Sequence, residues 1–160
     1  RLREAQFKAQ SIIPNSGMVC TNDLAEPFER YNIHPRRKAP VGQRLSYLAL
    51  RRTYGHDNVC DSGPVYKSWK AKGREAWVEF ENLHMGICRN YMLEGFELAG
   101  PDKVFHPATG WVHWQTNELV LTADGVDEPV AVRYGFGDFK PGNFIGGNEQ
   151  PAVPFRTDDW

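Results

Sequence analysis

From residue 56 onward, short apolar segments alternate with turn-forming residues, and this pattern constrains the fold more than any other feature of the chain. Six segments carry β-branched and aromatic residues with a period of two: 65–69, 75–80, 95–99, 110–114, 118–123 and 129–135. Gly, Pro, Asn and Asp separate them, and some of the connections have hairpin length. The pattern predicts an antiparallel, β-sandwich-like domain over residues 56–160.

The end of this segment, residues 140–160, is rich in Gly, Pro and Asn and closes with the sequence PFRTDDW. Its aromatic side chains need burial, whereas its composition disfavours regular structure. We therefore expect an ordered C-terminal tail that lies as coil across the surface of the β-domain.

Residues 1–55 show a different pattern. Residues 1–10 have helical spacing, residues 18–21 form a short apolar run typical of a buried strand, and helical spacing returns from Pro40 to Gly55. A long loop, residues 22–39, connects the strand to the second helix. This order is typical of the last unit of an open α/β sheet. Because no capping residue precedes the first helix, we expect further polypeptide to complete the fold.

Composition excludes several classes of function. The formal net charge of −1 provides no positive potential that would attract nucleic acid. No apolar run approaches the roughly 20 residues that are needed to cross a bilayer. Three cysteines without Cys-x-x-Cys spacing and five scattered histidines predict no metal site. We expect no cofactor, no nucleic-acid partner and no membrane partner.

His34 is the candidate catalytic residue. It lies in the long loop directly before the second helix, and Pro35 restricts its backbone to extended geometry. A histidine held in this way is suited to act as a general base. A single histidine in a loop is not a motif, however, and a surface or helix-capping role is the plainer alternative.

Several strings strengthen the first interpretation: GMVCTNDL, NIHPRRKAPVGQRLSYLAL, SGPVYKSW, GFELAG, PVAVRYGFGD and PFRTDDW. In this order and spacing, the chain resembles the C-terminal portion of the sialate O-acetylesterase family. That family consists of SGNH-hydrolase carbohydrate esterases, in which a serine attacks an ester carbonyl and a histidine activates it. The resemblance implies that His34 is this catalytic histidine.

The resemblance also implies a fold and a location. Residues 1–55 would be the last strand and helix of an SGNH α/β/α sheet, and residues 56–160 an associated antiparallel β-domain. The whole would be mixed α and β, and mostly β. Members of such a family act on glycans, so a secreted, periplasmic or lysosomal location is implied.

Two departures from the family pattern stand out. The acidic residue expected two or three positions before the histidine is replaced by Asn32 and Tyr31, so Asn32 is a possible partner that orients the ring without supplying charge. Asp23 is a second possible partner, and Glu26 a further acid at the end of the same strand. Either acid equally fits a solvated surface role.

The second departure is the missing nucleophile. Ser16, Ser46 and Ser68 lie in no Gly-x-Ser element, so the serine must come from an upstream segment or a second chain. The function predicted is part of a carbohydrate O-acetylesterase that acts on an acetylated carbohydrate. The alternative is a non-catalytic carbohydrate-binding or structural module of a degenerate esterase.

Other residues carry weaker hypotheses. Four tryptophans on or beside the predicted strands, Trp69, Trp77, Trp111 and Trp114, could form a sugar-stacking platform, although core packing is the favoured interpretation. The basic cluster Arg36-Arg37-Lys38 beside His34 could contact a carboxylate such as that of a sialic acid. A solvated face is the simpler interpretation of that cluster.

Overall fold

The computed structural model describes residues 1–32, 34–83, 86, 87 and 92–160. Helix α1 spans Leu2–Ala9, a 3-10 helix spans Pro27–Glu29, and α2 spans Ala39–Arg52. Pro40 lies in the first turn of α2, where a missing N–H leaves no hydrogen bond unmade. Both helices lie where the spacing of apolar residues predicts them.

Seven strands follow: β1 (Val65–Lys72), β2 (Glu75–Glu81), β3 (Phe96–Ala99), β4 (Phe105–Val112), β5 (Leu119–Ala123), β6 (Ala131–Tyr134) and β7 (Phe155–Arg156). They form one sheet in the order β1-β2-β5-β4-β3-β6-β7, and every pairing is antiparallel. The strands overlap all six predicted segments. Antiparallel pairing is therefore confirmed.

The sheet curls until its two edges meet. The N–H of Val153, just before β7, donates to the carbonyl of Pro64, just before β1, at 3.0 Å. The rings of Tyr66 and Phe155, on β1 and β7, stack with centroids 4.6 Å apart. The result is a nearly closed, barrel-like sheet in place of the two layers of a sandwich.

The core fills the inside of this curl. Alternate residues of the strands point inward, as the period of two requires, and are almost fully buried. At the centre, the ring of Tyr134 packs against Phe96 and Phe144. The backbone N–H of Phe144 donates to the Tyr134 hydroxyl at 3.1 Å, so this buried polar group is satisfied. Burial raises the pKa of the Tyr134 hydroxyl.

The predicted fold class is wrong in its α/β part. Residues 18–21 form no strand, and the described residues contain no parallel pairing, so they contain no part of an SGNH α/β/α sheet. A lone strand needs a neighbour to pair its backbone. Here the carbonyl of Cys20 instead accepts from the Arg44 guanidinium at 2.7 Å. The division of the chain near residue 55 into two domains stays a prediction.

The C-terminal tail, residues 140–160, contributes one short strand and several core side chains. It contributes β7, and its Phe144, Ala152 and Phe155 belong to the hydrophobic core. Most of the remaining tail has no regular structure, and its position as an ordered coil on the β-domain stays a prediction.

Two absences apply to the described residues. No helix there has the length and apolar character needed to span a membrane. No group of three or more potential ligands in this part of the chain could hold a metal ion. Cys20 and Cys60 are free thiols, whereas Cys88 and His84 lie outside the described residues.

Candidate functional site around His34

His34 lies in the loop between the 3-10 helix and α2, and its side chain is exposed. Its backbone N–H donates to Oδ1 of Asn32 at 2.9 Å. A side-chain amide that bonds the backbone two residues ahead forms an Asx turn, which stabilises one local conformation. The turn holds the backbone of the candidate base, while its imidazole stays open to solvent.

Glu29 organises the same loop, although the sequence did not single it out. Glu29 is 3% exposed, and its carboxylate accepts the backbone N–H of Glu26 at 3.0 Å and that of Arg36 at 2.8 Å. Its carbonyl accepts from the N–H of Asn32 at 2.8 Å. Thus one buried side chain ties together the two ends of the loop that carries His34.

The charge on Glu29 is stabilised by these contacts. The backbone N–H groups of Glu26 and Arg36 lower the pKa of the Glu29 carboxyl. The signal available in the sequence is the three-residue spacing from Glu26 to Glu29 across Pro27, which matches a capping box at the start of a short helix. We read Glu26 only as a possible charge partner and missed this local role.

The carboxylate of Asp23 forms an ion pair with Arg44. Its two carboxylate oxygens accept from Nη1 and Nη2 of Arg44 at 2.7 and 2.6 Å. The Arg44 side chain is 9% exposed, and the same guanidinium also bonds Cys20 O, so the pair pins α2 to the segment before it. Both oxygens of the predicted acid are therefore occupied by Arg44, and a role of Asp23 beside His34 stays a prediction.

The side chain of Asn32 is likewise hydrogen-bonded, in this case to the backbone. The side-chain oxygen that we expected to accept the ring N–H of His34 accepts the backbone N–H of that residue instead. The structure thus places Asn32 next to His34 and shows it shaping the backbone. Its role as a partner of the ring stays a prediction.

The three serines considered as nucleophiles bond locally. Ser16 donates to Ile13 O and Ser46 to Gln43 O, both at 2.7 Å, and Ser68 donates to Oε2 of Glu79 at 3.0 Å. Cys20 is no better candidate, because burial raises the pKa of its thiol and keeps it protonated. Each of these four side chains therefore bonds a partner other than His34.

A groove of about 430 Å³ lies beside the His34 loop. Leu24, Pro35 and Val41 form part of one wall, and residues 137–141 form part of the other. His34 is absent from the described lining.

Residues 1–55 also leave many apolar side chains uncovered. Helix α1 has no buried residue, and in α2 only Arg44 is buried. The exposed side chains in this part are large: Leu2 (74%), Ile12 (78%), Ile13 (56%), Phe28 (67%), Tyr31 (91%), Leu45 (49%) and Tyr54 (70%). Single exposed apolar side chains are common on protein surfaces, whereas contiguous ones typically mark interaction surfaces.

The basic cluster is exposed and engaged in local contacts. Arg36 lies over the Phe28 ring at 5.2 Å from its centroid, and Lys38 donates to the carbonyl of Pro35 at 2.7 Å. Arg37 donates to the carbonyl of Asp23 at 3.4 Å. These contacts fit the solvated face that we considered the simpler interpretation.

Comparison with known proteins identifies one informative likeness. No protein-family model matches the chain, and no curated protein matches it. Among solved structures, the chain is similar to the crystal structure of a carbohydrate acetylesterase from Xanthomonas citri, with a TM-score of 0.87 and 33% sequence identity. The match covers 99% of this chain but only 36% of that protein. The chain is thus structurally similar, over nearly its whole length, to about a third of a carbohydrate acetylesterase.

Proposed function

We propose that this chain is part of a carbohydrate O-acetylesterase, to which it supplies the catalytic histidine, His34. One observation carries the proposal: the likeness to the Xanthomonas citri carbohydrate acetylesterase extends over 99% of the chain at 33% identity. Likeness at this level of identity supports a common type of activity as well as a common fold. The family resemblance of the NIHPRRK segment selects the histidine.

The proposed chemistry is serine acyl transfer. His34 takes the proton of a serine hydroxyl as its oxygen attacks the acetyl carbonyl, and then returns that proton to the departing sugar oxygen. Water, activated by the same imidazole, releases acetate and restores the serine. The exposure of the imidazole supports this role, because a nucleophile from another polypeptide has to reach it.

The partner is polypeptide that carries the nucleophilic serine, either an upstream segment or a second chain. Two observations support it. The match covers only 36% of the Xanthomonas protein, so that enzyme has much polypeptide without a counterpart here. Furthermore, Phe28 and Tyr31, 67% and 91% exposed, flank His34 in a surface that a packed partner would bury.

The substrate is an acetylated carbohydrate. Sialate specificity and a secreted, periplasmic or lysosomal location are the finer parts of this proposal and rest on the family resemblance. A carboxylate on the sugar would bind Arg36, Arg37 and Lys38, which are exposed close to His34 in the sequence. Rates of acetate release from a 9-O-acetylated sialic acid and from an acetylated neutral sugar, compared in the assembled enzyme, test this specificity.

The decisive experiment replaces the histidine. In the assembled enzyme, His34→Ala should lower kcat/KM for an acetyl ester by roughly 10³-fold or more while the thermal unfolding midpoint stays unchanged. The matched control is His56→Ala, since His56 is also exposed and follows α2. Near-normal turnover of His34→Ala would remove His34 from the mechanism.

A second candidate function is a non-catalytic carbohydrate-binding or structural module of a degenerate esterase. It is favoured by the engagement of Asn32 and Asp23, since neither is bonded to the His34 ring in the described structure. A triad without an acid loses orientation and charge stabilisation of its histidine. Glycan binding by the assembled protein without release of acetate would establish this alternative.

A further inference from the structure

The outer face of the sheet carries an aromatic patch over β2, β5 and β4. Trp77, Val120 and Trp111 lie directly opposite one another on these strands. Their neighbours on β5, Leu119 and Leu121, belong to the core, so these three side chains point outward. Val120 is nevertheless 0% exposed, which indicates that the flanking indoles close over it.

Of the two indoles, Trp111 is the one open to a ligand. The Lys72 ammonium lies 3.3 Å from the centroid of the Trp77 ring, and the His113 ring packs against it at 5.1 Å. The Trp77 Nε1–H donates to Oε2 of Glu75 at 2.8 Å, which orients that carboxylate. Trp111 is 48% exposed.

A polar groove of about 360 Å³ continues from this patch along the same face. Its lining includes Glu75, Thr109 and Thr122, each two residues along its strand from a member of the patch. Thr109 and Thr122 are directly opposite each other on β4 and β5. The groove therefore presents two hydroxyls and the carboxylates of Glu75 and Asp124, on the face that carries a half-exposed indole.

The charges around this face are largely paired. Arg74, at the edge of the groove, bonds Asp127 at 2.9 Å, and Lys70, opposite Trp77, bonds Glu118 at 2.7 Å. A ligand therefore meets little uncompensated positive charge, which disfavours an anion. Hydroxyl donors suit Glu75 and the threonines, and an apolar C–H face suits an indole.

We propose that this outer face is a binding site for a neutral carbohydrate. A pyranose ring stacks on Trp111, and its hydroxyls bond Glu75, Thr109 and Thr122. The choice of a carbohydrate as the ligand class rests in part on the proposed function, whereas the position of the site rests on the groove and the indole. The site lies on the sheet and uses no residue of the His34 loop.

The test is calorimetric titration of the full-length protein with unacetylated xylohexaose and cellohexaose. Wild-type protein should bind one of them with measurable affinity, and Trp111→Ala should raise its Kd about tenfold, the factor that ~1.4 kcal/mol represents. Thr122→Val, which keeps the side-chain shape, should raise Kd about fivefold by removing one hydrogen bond. Trp114→Ala is the matched control, since Trp114 is 69% exposed in the turn after β4 and lies beyond the patch.

Three outcomes would overturn the proposal: no binding of either oligosaccharide by wild-type protein, unchanged Kd in both Trp111→Ala and Thr122→Val, or an equal loss in Trp114→Ala. If Trp111→Ala does not fold, Thr122→Val carries the test. These ligands contain no ester, so binding is measured independently of hydrolysis. Protein that binds them but releases no acetate refutes the proposed function alone, and the reverse result refutes this site alone.

Discussion

The helical region, residues 1–55, and the sheet region, residues 56–160, bury their side chains in opposite ways. In the sheet region, strand after strand contributes alternate apolar residues to one core. Among the described residues of the helical region, Leu24 is the only buried apolar one, and the other buried side chains are Asn22, Glu29 and Arg44. One region is held by apolar packing and the other by polar contacts.

This difference bears on the proposal that other polypeptide packs on the helical region. The sheet curls around a core of its own, and burial of apolar side chains in such a core is the main source of folding free energy. The helical region keeps large apolar side chains exposed, and its contacts are individually worth about 1 kcal/mol or little more. The candidate base lies in the region that buries fewer apolar side chains.

The largest expected effect comes from matched leucines in the two regions. Leu121→Ala, at a position 0% exposed in β5, should destabilise the chain by about 2–5 kcal/mol through the cavity it leaves. Leu45→Ala, at a position 49% exposed in α2, should change stability by less than about 1 kcal/mol. Urea unfolding of residues 1–160 measures both.

Repeating Leu45→Ala in the assembled enzyme sharpens the comparison. If a partner covers α2, the same substitution should become distinctly more destabilising there than in the isolated chain. An unchanged effect in the assembly would show that this part of the helical region is not an interface.

An intermediate effect is expected at the ion pair that holds α2. Asp23→Ala leaves the Arg44 guanidinium buried without its partner and should cost about 1–3 kcal/mol, less than the 3–5 kcal/mol of a fully buried pair because Asp23 is 16% exposed. Hydrogen exchange of the α2 amides should report the loosening. Lys8→Ala is the control, since the Lys8–Glu4 pair is exposed and typically contributes less than about 1 kcal/mol. Equal protection of α2 in both variants would contradict this role of Asp23.

The smallest effect on stability, but a specific one on pH dependence, is expected at Glu29. Its pKa in the folded state is lowered, so its stabilisation of the loop is fully present above the ordinary pKa of a Glu carboxyl. The stabilisation is lost as the pH falls through the lowered value. NMR signals of residues 26–36 should therefore shift together in acid, and Glu29→Gln should abolish that transition.

Glu128→Gln provides the control, because Glu128 is an exposed glutamate in the connection between β5 and β6, outside this loop. In the assembled enzyme, Glu29→Gln should lower kcat more than it raises KM, because Glu29 would act by positioning His34. A variant with an unaltered acid transition would show that Glu29 does not hold the loop.

The sequence predicted the elements of the sheet better than their arrangement. Period-two alternation located six strands, because the side chains that a strand buries are every second residue of its own short sequence. It missed the start of β4 at Phe105, where Pro107 argues against a strand, and it missed β7 inside a Pro-rich tail. The α/β fold class was wrong because residues 18–21 have the composition of a strand but no neighbour to pair with in the described chain.

At the candidate site, the sequence identified His34 and Asn32 but not the residues that hold them. Glu29 and Arg44 resemble ordinary surface residues in a linear sequence, since charged side chains are mostly exposed. Their burial depends on backbone N–H groups and a carboxylate that only the folded chain brings to them. No local pattern reports that environment.

By itself, the sequence determined the alternation that makes a largely antiparallel β-protein and the His34-Pro35 segment that nominates a base. Only the tertiary structure decided that the sheet curls onto itself, that Asp23 binds Arg44, and that two of the tryptophans lie on its outer face. The physical reason is the distance along the sequence between the residues that interact. The alternation that predicts a strand is visible within a few neighbouring residues. The contacts between the two edges of the sheet and the buried charge pair join residues 20 to 90 positions apart.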